Sequence, residues 1–234
     1  MSSKIARWFA WALGAAMASL TPSVAFGHVS IASGPAFAGS TGIVVFAVGH
    51  GCEGHDTYRV DVEIPAGVTS VRPETSGFGQ VDVTTDDAGT IVMVSFQKPD
   101  DAVLESDTQF YELKVRLKAP DAPFTTVHFP AHQTCRAPDG TTTVVDWVAL
   151  DESDPDVEPA PALNVLPARF PGWNKFPVPR VVSDLDAFFG DAQIVWQGSA
   201  AYSINPTTLE LIEGTQGVSV LERLTAGTDI WVRY

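Results

Sequence analysis

Basic side chains are scarce in this chain: 14 Lys and Arg stand against 28 Asp and Glu in 234 residues, a formal net charge of −14. Such a surface repels phosphates and anionic headgroups, which argues against nucleic acid or an anionic membrane as partner. Long apolar runs are scarce too. Beyond the first twenty or so residues no stretch approaches the roughly 20 residues that a spanning helix needs. Helical periodicity is missing over most of the chain, and no internal repeat is found. Cysteine is reduced to two residues, Cys52 and Cys135. Neither stands near the start of the chain, which argues against a lipid anchor. The last third of the sequence, beyond about residue 168, has no His and no Cys.

The N-terminus has the three parts of a secretory leader, residues 1–27. Lys4 and Arg7 are its basic region, and Trp8 to Leu20 its apolar region, too short for a comfortable membrane span. Thr21-Pro22-Ser23 breaks the run, and Ala25-Phe26-Gly27 puts small residues at the −3 and −1 positions. The expectation is a mature periplasmic chain that begins at His28. Loss of the two leader cations leaves 14 − 2 = 12 bases against 28 acids, a charge of −16. Two cysteines in an exported chain are expected to pair. The closed loop would span 135 − 52 = 83 residues, which the chain-entropy account values at about 4–5 kcal/mol. Two thiolates holding copper(I) are the alternative.

Strand and turn signals then alternate. Val29 to Ile31, Thr41 to Val48, Thr57 to Ile64, Gln80 to Thr84, Thr90 to Gln97, Phe110 to Leu117, Phe124 to Phe129 and Thr142 to Leu150 read as strands. Asp86-Asp87-Ala88-Gly89 and Asp139-Gly140 read as tight turns. This pattern predicts a mainly β protein, an antiparallel β-sandwich over 28–167. Asp151 to Pro161 is acidic and proline-rich and reads as a linker. Residues 168–234 read as a small α+β extension, with a capped helix near Leu185 and a second at Pro206 to Ile212. Its three tryptophans, Trp173, Trp196 and Trp231, are expected to form its core or bind the sandwich.

Metal chemistry is concentrated in Gly49-His50-Gly51-Cys52-Glu53-Gly54-His55, a loop between two strands. Glycine lets such a loop turn tightly, and imidazole, carboxylate and thiol are metal donors. The plain alternative is a turn with a structural cysteine. An N-terminal His28 is a chelate in itself, because its α-amine and Nδ1 can grip one copper(II) ion together. A Cys52–Cys135 bond would also bring His50 and His55 beside His128 and His132, so these four are secondary metal candidates. Trp147 lies on an alternating strand and reads as core.

Several separate segments carry a resemblance. They are His28-Val29-Ser30-Ile31 after a leader, Gly51-Cys52-Glu53-Gly54, Val60 to Val68, Val71-Arg72-Pro73, Phe129-Pro130, Gln133-Thr134-Cys135 and Asp146-Trp147. In order and spacing, residues 28–166 resemble the YcnI-like family of exported copper-binding domains. The resemblance implies an immunoglobulin- or cupredoxin-like sandwich and a mono-histidine brace for copper(II): His28 through amine and imidazole, Glu53 as carboxylate ligand, Trp147 close to the metal. It implies copper trafficking rather than an enzyme, with other periplasmic copper chaperones or a membrane importer as partners. The family's common C-terminal membrane anchor is not seen in the sequence, and the extension falls outside the resemblance. Two other functions stay open: a histidine-brace copper oxygenase, with His132 or His128 as second imidazole, and a metal-free interaction module.

Overall fold

Alternation of apolar and polar residues builds most of this chain into strands. The computed structural model describes residues 28–150 and 157–234; the leader and the first half of the acidic linker lie outside these. The strands of the first lobe are β1 (Val29–Ile31), β2 (Ala36–Phe37), β3 (Thr41–Val48), β4 (Asp56–Glu63), β5 (Thr69–Pro73), β6 (Gln80–Thr85), β7 (Ile91–Gln97), β8 (Tyr111–Lys118), β9 (Thr125–His128), β10 (Ala131–Arg136), β11 (Thr142–Ala149), β12 (Glu158–Pro159) and β13 (Ala162–Leu166). They form a four-stranded sheet, β1-β3-β8-β5, a six-stranded sheet, β12-β11-β10-β4-β7-β6, and a short third sheet, β2-β13-β9. Most pairings are antiparallel, and the expected β-sandwich is the fold. The Asp86 turn joins β6 to β7, with Asp86 N–H donating to Thr90 O at 2.9 Å.

Inward positions of the two larger sheets supply one core. Phe46, Leu113, Val115 and Leu117 face Val60, Val62, Val94 and Phe96, all at most 1% exposed. Burial of each such side chain contributes about 1.5–3 kcal/mol before chain entropy is charged. The alternation in β8 is strict: Tyr111, Leu113, Val115 and Leu117 are buried and the residues between them are not.

Residues beyond 168 add β14 (Trp173–Pro177), β15 (Ile194–Gln197), β16 (Ala200–Tyr202), β17 (Ser219–Val220) and β18 (Asp229–Arg233), with α1 (Leu185–Phe189) and α2 (Pro206–Gly214). The five strands form one sheet, β14-β18-β15-β16-β17. Asp184 caps α1 through Ala187 N–H, and Asn205 caps α2 through Thr207 and Thr208 N–H. This second core is aliphatic and phenylalanine-rich, and it reaches into the sandwich. Phe124 and Leu166 of the first lobe belong to it. Phe124, at φ 59°, aims its ring at Phe176, Phe188 and Phe189, with centroids 6.3, 6.2 and 5.8 Å away.

The tryptophans correct the sequence reading. Trp173 and Trp231 are 53% and 49% exposed, Trp196 is half-buried, and none is in the core. Asn174 and Phe176, Ile230 and Val232 take the inward positions of β14 and β18, so strand parity turns the indoles out. No helix among the described residues is long and apolar enough to cross a membrane.

Candidate metal centre

Register places the N-terminal histidine. Strand β1 pairs with β3 through Val29↔Val48, so His28 sits beside Gly49, the first residue of the glycine loop. Glycine at 51 is enforced by contact: a Cβ there would stand 1.8 Å from His55 O. The chain then turns over Cys52-Glu53-Gly54-His55, closed by His55 N–H to Cys52 O at 2.9 Å. Both central residues have positive φ, 53° at Glu53 and 81° at Gly54. A turn of this hand favours Asn or Gly at its first central position. A glutamate there stores about 1–3 kcal/mol of backbone strain and sits exposed at the loop tip. Backbone outliers of this kind cluster at functional sites.

Below the turn the loop is pinned twice. Cys52 and Cys135 form the expected disulfide, with Cα atoms 5.6 Å apart. Asp56, directly after the loop, is fully buried and accepts from Lys98 Nζ at 2.5 Å, Tyr111 OH at 2.6 Å and Leu104 N–H at 2.8 Å. Lys98 Nζ also donates to Tyr111 OH at 2.6 Å and lies 4.1 Å from that ring's centroid. Burial, then the hydrogen bond to Asp56, raises the Tyr111 pKa, so the phenol stays protonated. On the other side Asp107 N–H donates to Gly54 O at 3.0 Å.

Trp147 is a core residue, as its strand position implies, and it also stands beside His28. It is 2% exposed within the first core, and its ring centroid lies 5.3 Å from that of His28, tilted by 41°. Its Nε1–H donates to Gln133 Oε1 at 3.2 Å. Gln133, 1% exposed, uses its two N–H groups on His50 O and Thr57 Oγ1, both at 2.8 Å. One amide thus ties the indole to the backbone of the glycine loop. Sequence reasoning held Gln133 only as part of a segment. The available signal was parity, since it shares the inward face of β10 with Ala131 and Cys135.

The proposed gathering of four histidines does not form. His132 is an odd number of residues from Cys135 and therefore points outward. There its Nδ1 donates to Asp146 Oδ1 at 2.6 Å and its Nε2 to Glu63 Oε1 at 3.2 Å. The Asp146 bond, aided by Glu63, raises its pKa against a smaller opposing effect of burial. His128 lies beyond Phe129-Pro130 on β9, in another sheet. It lines a cleft of about 380 Å³ between the lobes with Asn164, Asp184 and Phe188, and its buried Nδ1 has no partner among the described residues. His50 Nδ1 donates to Gly51 O at 2.8 Å and stands 4.0 Å from Asp107. His55 closes the Glu53 turn through its backbone. Among the described residues no three His, Cys, Asp or Glu side chains are grouped to hold a metal ion. A brace needs fewer side chains, because an α-amine supplies one donor. The exposed His28 imidazole and Glu53 carboxylate fit that chemistry of nitrogen and oxygen donors.

A family profile described as "Domain of unknown function (DUF1775)" matches residues 28–165. Among solved structures, an uncharacterized protein from Nocardia farcinica, described as revealing an immunoglobulin-like fold, is 30% identical. The match covers 59% of this chain and 98% of that one, with a TM-score of 0.49. A DUF4466 family protein from Parabacteroides merdae is 11% identical over 78% of this chain and 54% of that one, with a TM-score of 0.22. No curated protein matches the chain.

Proposed function

The chain is a member of the DUF1775 family, and from the residues gathered around His28 we propose that it is an exported, periplasmic copper(II) carrier with a mono-histidine brace. His28 would hold the ion through its α-amine and imidazole, and Glu53 would add a carboxylate. Copper is cargo in this reading, received and passed to another copper-handling protein. The observation that supports it most is the His28–Trp147 ring contact beside a loop that keeps a glutamate in a left-handed conformation. An indole anchored by Gln133 gives the imidazole a fixed, water-poor neighbour. The strain at Glu53 has a use if its carboxylate is needed at the loop tip.

A carboxylate in place of a second imidazole favours holding copper over redox chemistry, so the carrier stands ahead of an oxygenase. Both candidate second imidazoles have other surroundings: His132 has two carboxylate partners, and His128 lines the cleft between the lobes.

The test is copper(II) titration with electron paramagnetic resonance on protein that starts at His28 and on protein with one extra residue before it. The expectation is one tightly bound ion in the first and none in the second. An unchanged spectrum and affinity in the extended protein would overturn the brace. Oxidation of a polysaccharide with reductant and peroxide would move the reading to the oxygenase.

A further inference from the structure

All three tryptophans beyond the sandwich stand on one face of one sheet. The register Lys175↔Trp231↔Trp196 makes one row across β14, β18 and β15, and Trp173↔Arg233↔Ile194 makes the next. Trp231 and Trp196 are direct cross-strand neighbours, and Trp173 is diagonal to Trp231, about 7–8 Å away between backbones. On the far side the face closes: Ala201, opposite Trp196, is fully buried where α2 packs over β16 and β17. Half-exposed indoles in adjacent rows forgo burial that would stabilise the fold, and exposed aromatic patches mark binding surfaces.

The polar groups around the indoles narrow the ligand. Lys175 is paired with Asp229 at 2.7 Å, and its Nζ lies over the Trp231 ring, 5.9 Å from the centroid. Arg233, between Trp173 and Trp231, has no ion pair among the described residues. The platform itself therefore carries a net positive charge on a chain of −14. Asp229 also lines an open groove of about 610 Å³, with Gln197, Glu222, Arg223, Thr225 and Thr228, where the exposed Arg223 and Glu222 have no ion pair among the described residues. Flat rings, a polar groove and two unpaired guanidinium groups suit an extended ligand of stacked rings, hydroxyls and carboxylates. Guanidinium groups recognise carboxylates through two parallel hydrogen bonds. The electron-rich indole faces attract the C–H faces of pyranose rings, which are puckered and carry no π-system of their own.

We propose that this face binds a carboxylate-bearing polysaccharide, a uronate chain, with sugar rings stacked on Trp231, Trp196 and Trp173 and carboxylates paired with Arg233 and Arg223. The site is independent of the copper reading.

Titrate the full chain, without copper, with polygalacturonate, following tryptophan fluorescence and affinity electrophoresis. Run neutral amylose and polyglutamate in parallel. The expected result is binding to polygalacturonate that weakens with salt, with little binding to the other two. Trp231→Ala and Arg233→Ala should each weaken it by about tenfold or more while the thermal midpoint stays near that of the parent. Three outcomes overturn the proposal: no binding of polygalacturonate, equal binding of polyglutamate, which makes the face a dock for acidic peptides, or binding that ignores Trp231→Ala in a folded variant.

Discussion

Trp147 reaches the glycine loop through a single side chain: its Nε1–H donates to Gln133, whose amide donates in turn to the carbonyl of His50. A residue of β11 thereby fixes the loop that carries Glu53, although neither touches the other through this path. The ring that faces His28 and the turn that presents the carboxylate are held in one frame, so disturbance of either is felt at the other.

Glu53→Gly separates stability from binding. Glycine adopts the left-handed turn without strain, and the unfolded chain gains entropy that partly offsets this. The variant should be as stable as the parent or more stable, by up to about 1 kcal/mol. Chemical denaturation reads that change. Copper(II) affinity should fall at the same time, whereas a ligand role elsewhere predicts unchanged affinity.

Lys98→Met leaves the Asp56 carboxylate buried without its cation. The cost should be about 3–5 kcal/mol, the range for breaking one side of a buried pair. Adding Asp56→Asn should recover part of it, since the two sites share one network. Equilibrium unfolding of both variants measures the coupling, and simple additivity would show that the pair is not a unit.

His132 gives the sandwich a pH dependence of known sign. Its folded pKa is raised by Asp146 and Glu63. The stabilisation is therefore full below the ordinary value of about 6.5 and is lost as pH rises through the raised folded value. His132→Asn should lower the thermal midpoint at about pH 5 and have little effect at about pH 9. A midpoint difference that grows with pH would contradict the pairing.

Phe124→Ala removes the ring shared between the lobes. The expected loss is about 3–5 kcal/mol, as for other buried phenylalanines. It should fall on the second core: hydrogen exchange should quicken at Val195, Ile230 and Val232 before it does at Leu113 or Phe96. Equal quickening in both cores would mean that the lobes unfold as one.

Much of this protein could be read from local pattern, because a strand's period of two and the turn chemistry of glycine act over a few residues. Strict alternation in β8, the Asp86 hairpin and the pairing of the only two cysteines are cases of this. The same rule, applied to Trp231 between Ile230 and Val232, turns the indole outward. Other features have no local cause. Glu53 and Phe124 occupy positive φ because the disulfide, the buried Asp56 cluster and the second core hold the chain there against its preference. His132 finds two carboxylates only through the pairing of β10 with β11 and its place beside β4. The sequence by itself determined most of the strands, the sandwich class and the disulfide; β10 and β14 were not legible in it. Tertiary packing decided which donors meet, since contacts between residues tens of positions apart depend on sheet order and register.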